Sequence, residues 1–75
     1  MNFREFFSIR LSELRKAKNL SMKELGQIVG VSDETIRLLE RGKRSPSFEV
    51  FCQLAQYFNV SADYLLGLSD NPNRV

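Results

Sequence analysis

Apolar side chains along the 75 residues recur at intervals of three and four, interrupted by Ser, Asn and Gly where a helix would start or stop. Phe3, Phe7, Leu11 and Leu14 form one such stripe and predict a first helix from Phe3 to Lys18. Arg15, Lys16 and Lys18 in its last turn complement the negative end of the helix dipole. Asn19 suits a left-handed C-cap, after which Leu20 turns back towards the core. Ser21 opens a second helix, Glu24 completes a capping box three residues on, and Gly30 closes it. Ser32 caps a third helix that carries Asp33 and Glu34 in its first turn, buries Ile36 and Leu39 with Thr35 beside them, and ends at Gly42. After the basic loop Lys43-Arg44-Ser45-Pro46, Ser47 caps a fourth helix that runs to about Phe58. Its predicted apolar face is Phe48, Phe51, Cys52, Ala55 and Phe58. Asn59 stops it, and Ser61 starts a single-turn fifth helix through Tyr64, Leu65 and Leu66. The expected organisation is all-α: one five-helix domain over 1–68, followed by a tail, 69–75, whose SDNPNRV pattern predicts fraying.

The stretch Met22 to Arg41 carries the most information. Leu25, Gly26, Val29, Val31, Ile36 and Leu39 are apolar or small, and Gly30 separates two short periodic halves. That spacing describes two helices crossing at a tight turn, a helix-turn-helix, in which the second helix can enter the major groove of DNA.

Composition narrows the remaining classes. An apolar share of 43% favours a folded chain over a disordered one. No apolar run approaches the roughly 18 residues a membrane helix needs. The N-terminus has charges within its apolar stretch and no small-residue cleavage site, unlike a signal peptide. A cytoplasmic protein is expected. Cys52 is the only cysteine and there is no histidine, so an internal disulfide, His-based triads and the usual Cys/His zinc clusters are excluded. Asp33 and Glu34 make a poor hydrolytic pair, because adjacent residues of a helix diverge and nothing supplies a pocket. Neither an enzyme nor a cofactor, metal or small-molecule site is expected. The net charge of +2 is modest, so nucleic-acid binding requires cations gathered on one face.

From about Leu11 to Leu68 the sequence resembles the Cro and phage-repressor type of helix-turn-helix regulator, the XRE family. The matching segments are LSELRKAKNLSMKELG, VGVS, TIRLLERGKRSPS, LAQYFNVSADYLLG and the trailing SDNP. None is unique alone, but together and in this order they are specific. The resemblance implies a lambda-repressor-like five-helix domain that binds double-stranded DNA, commonly as a homodimer on a palindromic operator. It also implies an ion pair between Arg15 and Glu40, joining the end of the first helix to the end of the recognition helix. Three positions depart from the family. Met22 stands where a phosphate-contacting Gln is usual, Gly26 where Ala is usual, and the acidic Asp33 and Glu34 where amide or basic side chains are common.

On this pattern Ser32, Asp33, Glu34, Arg37 and Leu38 are the candidate base-contacting residues. Arg37 suits guanine O6 and N7, the carboxylates suit cytosine N4, and Leu38 suits a thymine methyl. Asp33 and Glu34 have an alternative role, which is to satisfy the helix dipole. Ser21, Met22, Lys23, Thr35, Arg41, Lys43 and Arg44 are the candidate DNA-backbone contacts; solvated surface charge is the alternative for the cations among them, with phosphate contact favoured for Lys43 and Arg44 because they sit beside the groove helix. The candidate dimer surface is Val60, Tyr64, Leu65 and Leu68, although Tyr64 and Leu65 can equally close the core. Most of the phenylalanines are expected in the core, with Phe6 an exposed candidate for partner contact and Cys52 a packing residue. The leading expectation is a sequence-specific transcriptional regulator of the repressor kind. Its rivals are a helix-turn-helix protein-interaction module (an antirepressor or adaptor) and an antitoxin.

Overall fold

A computed structural model describes residues 2–74; the expected domain and tail limits reach Met1 and Val75, which lie outside the described residues. Its helices are α1 (Phe3–Ala17), α2 (Met22–Val29), α3 (Asp33–Glu40), α4 (Phe48–Phe58) and α5 (Ala62–Leu66). Each begins where a short polar side chain accepts a backbone N–H of the first turn: Asn2, Ser21, Ser32, Ser47 and Ser61. This removes one of the unpaired donors that every helix start exposes. At α2 the cap is reciprocal: Ser21 Oγ accepts the Glu24 N–H at 3.0 Å, and the Ser21 N–H donates to Glu24 Oε1 at 2.8 Å.

The helix ends are equally uniform. Asn19, Gly30, Gly42, Asn59 and Gly67 all have positive φ, the conformation that lets the chain double back on the last turn. After α3 the Gly42 N–H donates to the Leu39 carbonyl at 3.2 Å and the Lys43 N–H to that of Leu38 at 3.0 Å. The same six-residue closure joins Leu20 to Arg15, Val31 to Gly26, Val60 to Ala55 and Leu68 to Asp63. Short helices are marginal alone; here each is fixed at both ends and holds an apolar face on a common centre.

That centre is Phe7 and Leu11 from α1, Leu25 and Val29 from α2, Ile36 and Leu39 from α3, Leu54 and Phe58 from α4, then Val60 and Leu65. α3 packs against α2 and α1, and α5 packs against α1 and α4. No helix among the described residues is long and apolar enough to cross a membrane.

Several expectations need correction. The inner face of α4 does include Phe58, with Phe51 and Ala55 packed beside it, but it is centred on Leu54, and two predicted members lie elsewhere: Phe48 is 82% exposed and Cys52 is also exposed. At 3.6 residues per turn they lie about 120° and about 160° around the helix from Leu54. Among the phenylalanines only Phe7 and Phe58 are buried, Phe51 is partly so, and Phe3, Phe6 and Phe48 are exposed. Val60 and Leu65 belong to the interior of the monomer, so they close the core and do not line a dimer surface. The segment after Ser69 has no helix, but it is not free. Arg10 donates to the carbonyls of Tyr64 and of Ser69 (2.6 Å) and pairs with Asp70 at 2.9 Å, while the Ser61 N–H donates to the Pro72 carbonyl at 2.9 Å.

Candidate nucleic-acid interface

The angle between α2 and α3 is set by a three-residue turn. Gly30 takes φ +77, and the Val31 N–H reaches the Gly26 carbonyl at 2.8 Å. The absence of a side chain at Gly26 lets the turn lie directly on α2: a Cβ built there would sit 2.5 Å from the Val31 carbonyl oxygen. Close backbone approach of this kind is what glycine permits. It brings the start of α3 against α2 and leaves the outer face of α3 open.

The far end of α3 is held by the expected ion pair. Arg15 Nε donates to Glu40 Oε2 at 2.6 Å and Nη2 to Oε1 at 2.9 Å, while Nη1 donates to the Leu20 carbonyl at 2.8 Å. The side chains are only 11% and 4% exposed. The Glu40 carboxylate raises the Arg15 guanidinium above its usual value, chiefly through the hydrogen bond. This fork fixes α3 to α1 in direction as well as distance.

On the outer face the five candidate base-contacting residues are brought together, but most are already engaged. Ser32 Oγ accepts the Thr35 N–H at 3.1 Å and lies 3.0 Å from Thr35 Oγ1. Asp33 Oδ1 accepts the Glu34 N–H in the first turn of α3 at 2.9 Å, a contact of the kind that complements the helix dipole. Glu34 forks the Arg37 guanidinium, Oε1 accepting from Nε at 2.9 Å and Oε2 from Nη2. That fork holds the Glu34 carboxyl below the usual carboxylate range and raises Arg37. Leu38 is half-buried.

The candidate backbone contacts flank this face. Lys23 lies in the first turn of α2; Arg41, Lys43 and Arg44 follow α3. All four are exposed, and among the described residues none forms an ion pair. Ser21 is exposed at the start of α2, and Thr35 is half-buried on α3. Met22 packs its side chain against the core, so only its main chain can face a phosphate. Arg10, whose guanidinium also lies 4.1 Å from the centre of the Tyr64 ring, was not among the expected site residues; nothing local in MNFREFFSIR marks it. The Glu34–Arg37 fork was legible in principle, since side chains three apart on a helix are neighbours.

A core-fixed pair of short helices crossing at a glycine turn, with unpaired cations on the first turn of α2 and just after α3, defines a helix-turn-helix domain. Residues 11–65 match the family model described as "Helix-turn-helix", and the chain belongs to that family. It is 36% identical over 64 residues to YobD, an uncharacterized HTH-type transcriptional regulator of Bacillus subtilis, covering 85% of this chain and 57% of the relative. It is 41% identical over 58 residues to the HTH-type transcriptional regulator AnsR of the same organism, covering 77% of this chain and 50% of that protein. The chain thus spans about half the length of these two relatives. Among solved structures it superposes on the P22 c2 repressor in complex with a synthetic operator. There the TM-score is 0.76 and the identity 33%, with 80% of this chain and 91% of that one covered.

Proposed function

We propose that this chain is the DNA-binding unit of a transcriptional regulator, a repressor in kind, with α3 seated in the major groove of duplex DNA. The observation that carries the reading is a group of exposed cations outside any ion pair on the helix-turn-helix unit, Lys23 in the first turn of α2 and Arg41, Lys43 and Arg44 just after α3. Phosphate neutralisation supplies most of the affinity of such proteins, and groups at both ends of a groove helix set its register. Ser21, Thr35 and the Met22 main chain complete the backbone contacts. Arg37 and Leu38 read base edges, and Ser32 and Asp33 chiefly shape the start of the helix. Similarity to an operator-bound repressor supports this reading.

The protein acts as a homodimer on a palindrome, two recognition helices about 34 Å apart matching one turn of DNA. With Val60 and Leu65 interior, the exposed Leu68 and the half-buried Tyr64 remain as the apolar part of that surface. No chemistry is catalysed, no cofactor is needed, and the partner implies the cytoplasm. A second reading, an interaction module, draws on Arg37 being tied to Glu34 and on Met22 turning into the core. Selection of bound sequences from a random duplex pool tests the two. Enrichment of a palindrome supports the repressor reading, while no retained duplex at low salt supports the module.

A further inference from the structure

We propose that Glu34 is a positioning residue that sets Arg37 to read guanine, an inference that rests on the DNA-binding reading above. The guanidinium has two edges able to make paired hydrogen bonds. Glu34 occupies the one formed by Nε and Nη2. The other, formed by Nη1 and the second N–H of Nη2, makes no hydrogen bond among the described residues, and it offers the parallel donors that guanine O6 and N7 accept.

An unbraced arginine loses considerable rotamer freedom when it docks. A carboxylate one turn earlier on the same helix has already restricted that freedom. The pair is exposed, with side chains 37% and 58% accessible, and exposed pairs add little stability. Its value lies in orientation. The fork also sets a positive guanidinium against the carboxylate, which offsets the repulsion that a free carboxylate would feel near phosphates. In this way an acidic residue fits a face that binds DNA.

Charge and positioning predict opposite results when Glu34 is neutralised. By charge alone, Glu34→Gln would tighten binding to every sequence equally. As a positioning residue, it would weaken one base preference and spare the rest. The test is selection from a random duplex pool with the wild type, Arg37→Ala, Glu34→Gln, the double variant, and Glu13→Gln as a control for removing a remote negative charge. We expect the wild type to enrich guanine at a position that Arg37→Ala releases. Glu34→Gln should lower that guanine preference roughly tenfold, leaving other positions and the melting temperature close to wild type. On the Arg37→Ala background, Glu34→Gln should change no base preference.

Unchanged or sharper guanine preference in Glu34→Gln would overturn the proposal, the sharper result making Glu34 a competitor that holds Arg37 off the base. An Arg37→Ala variant with the wild-type pattern would also overturn it. If the wild type enriches nothing, the DNA-binding reading itself fails and this inference goes with it.

Discussion

At the level of single residues, Arg15 and Glu40 show how orientation is secured at a cost. Both are nearly buried and their fork joins α1 to the end of α3. Desolvating two such groups costs several kcal/mol, and their attraction recovers that only when the geometry is good. Removing one partner strands the other. Glu40→Ala leaves Arg15 buried with only the Leu20 carbonyl as acceptor, so it should lose about 3–5 kcal/mol. A double change to Arg15→Met and Glu40→Leu should lose less. Thermal unfolding of both variants checks this; equal losses would mean the pair does not carry the penalty assigned to it.

The elements depend on their ends more than on their length, and the ends were also the most legible part of the sequence. All four serine caps and the turning role of Asn19, Gly30, Gly42 and Asn59 follow from local chemistry, which needs no knowledge of the partner helices. The inner face of α4 does need it. Phe48, Val50, Phe51, Cys52, Leu54, Ala55, Tyr57 and Phe58 surround most of that helix, so periodicity alone allows several faces. Only packing against α2 and α5 selects Leu54. On the outer face of α3 the cap at Ser32 and a dipole role for Asp33 and Glu34 are legible locally, whereas the Glu34–Arg37 fork emerges only when Arg37 is matched to its neighbour three residues away and not to a base.

Two measurements belong to this scale. Glu24 accepts the Ser21 N–H, chiefly a backbone hydrogen bond, which holds its carboxyl below the usual 4.5. A carboxyl depressed in the folded state adds stability that is present above the unfolded value and is lost as pH falls through the folded one. Between about pH 5 and pH 3, the melting temperature of Glu24→Gln should therefore fall less steeply than that of the wild type; parallel curves would remove the capping box from the account. At Gly26 an added methyl improves helix propensity by about 1 kcal/mol, yet it would meet the Val31 carbonyl oxygen at 2.5 Å. The contact should win, and Gly26→Ala should melt below wild type. A rise in melting temperature would show that the turn yields easily.

At the scale of the whole molecule, a core of ten buried side chains among the described residues holds one helix with its outer face open, and the cations after it form no ion pair there. Arg10 ties the chain after α5 back to α1 and stacks on Tyr64, so this end of the body is ordered by a residue far from it in sequence. Long-range contacts of this type have no local signature, which is why the tail was expected to fray. A net charge of +2 conceals how unevenly the cations are paired. Arg15 and Arg37 are neutralised by Glu40 and Glu34, and Arg10 by Asp70, while Lys23, Arg41, Lys43 and Arg44 on the helix-turn-helix unit form no ion pair among the described residues.

The central claim is that these four cations neutralise DNA phosphates around α3, and the salt dependence of duplex binding tests it most directly. Each phosphate neutralised contributes a slope of about −0.9 to log K against log salt, so the wild type should show about −3 to −4 per chain. Replacing both Lys43 and Arg44 by Ala should flatten that slope by about 2. A wild-type slope near zero, or one that the double replacement leaves unchanged, would contradict the account.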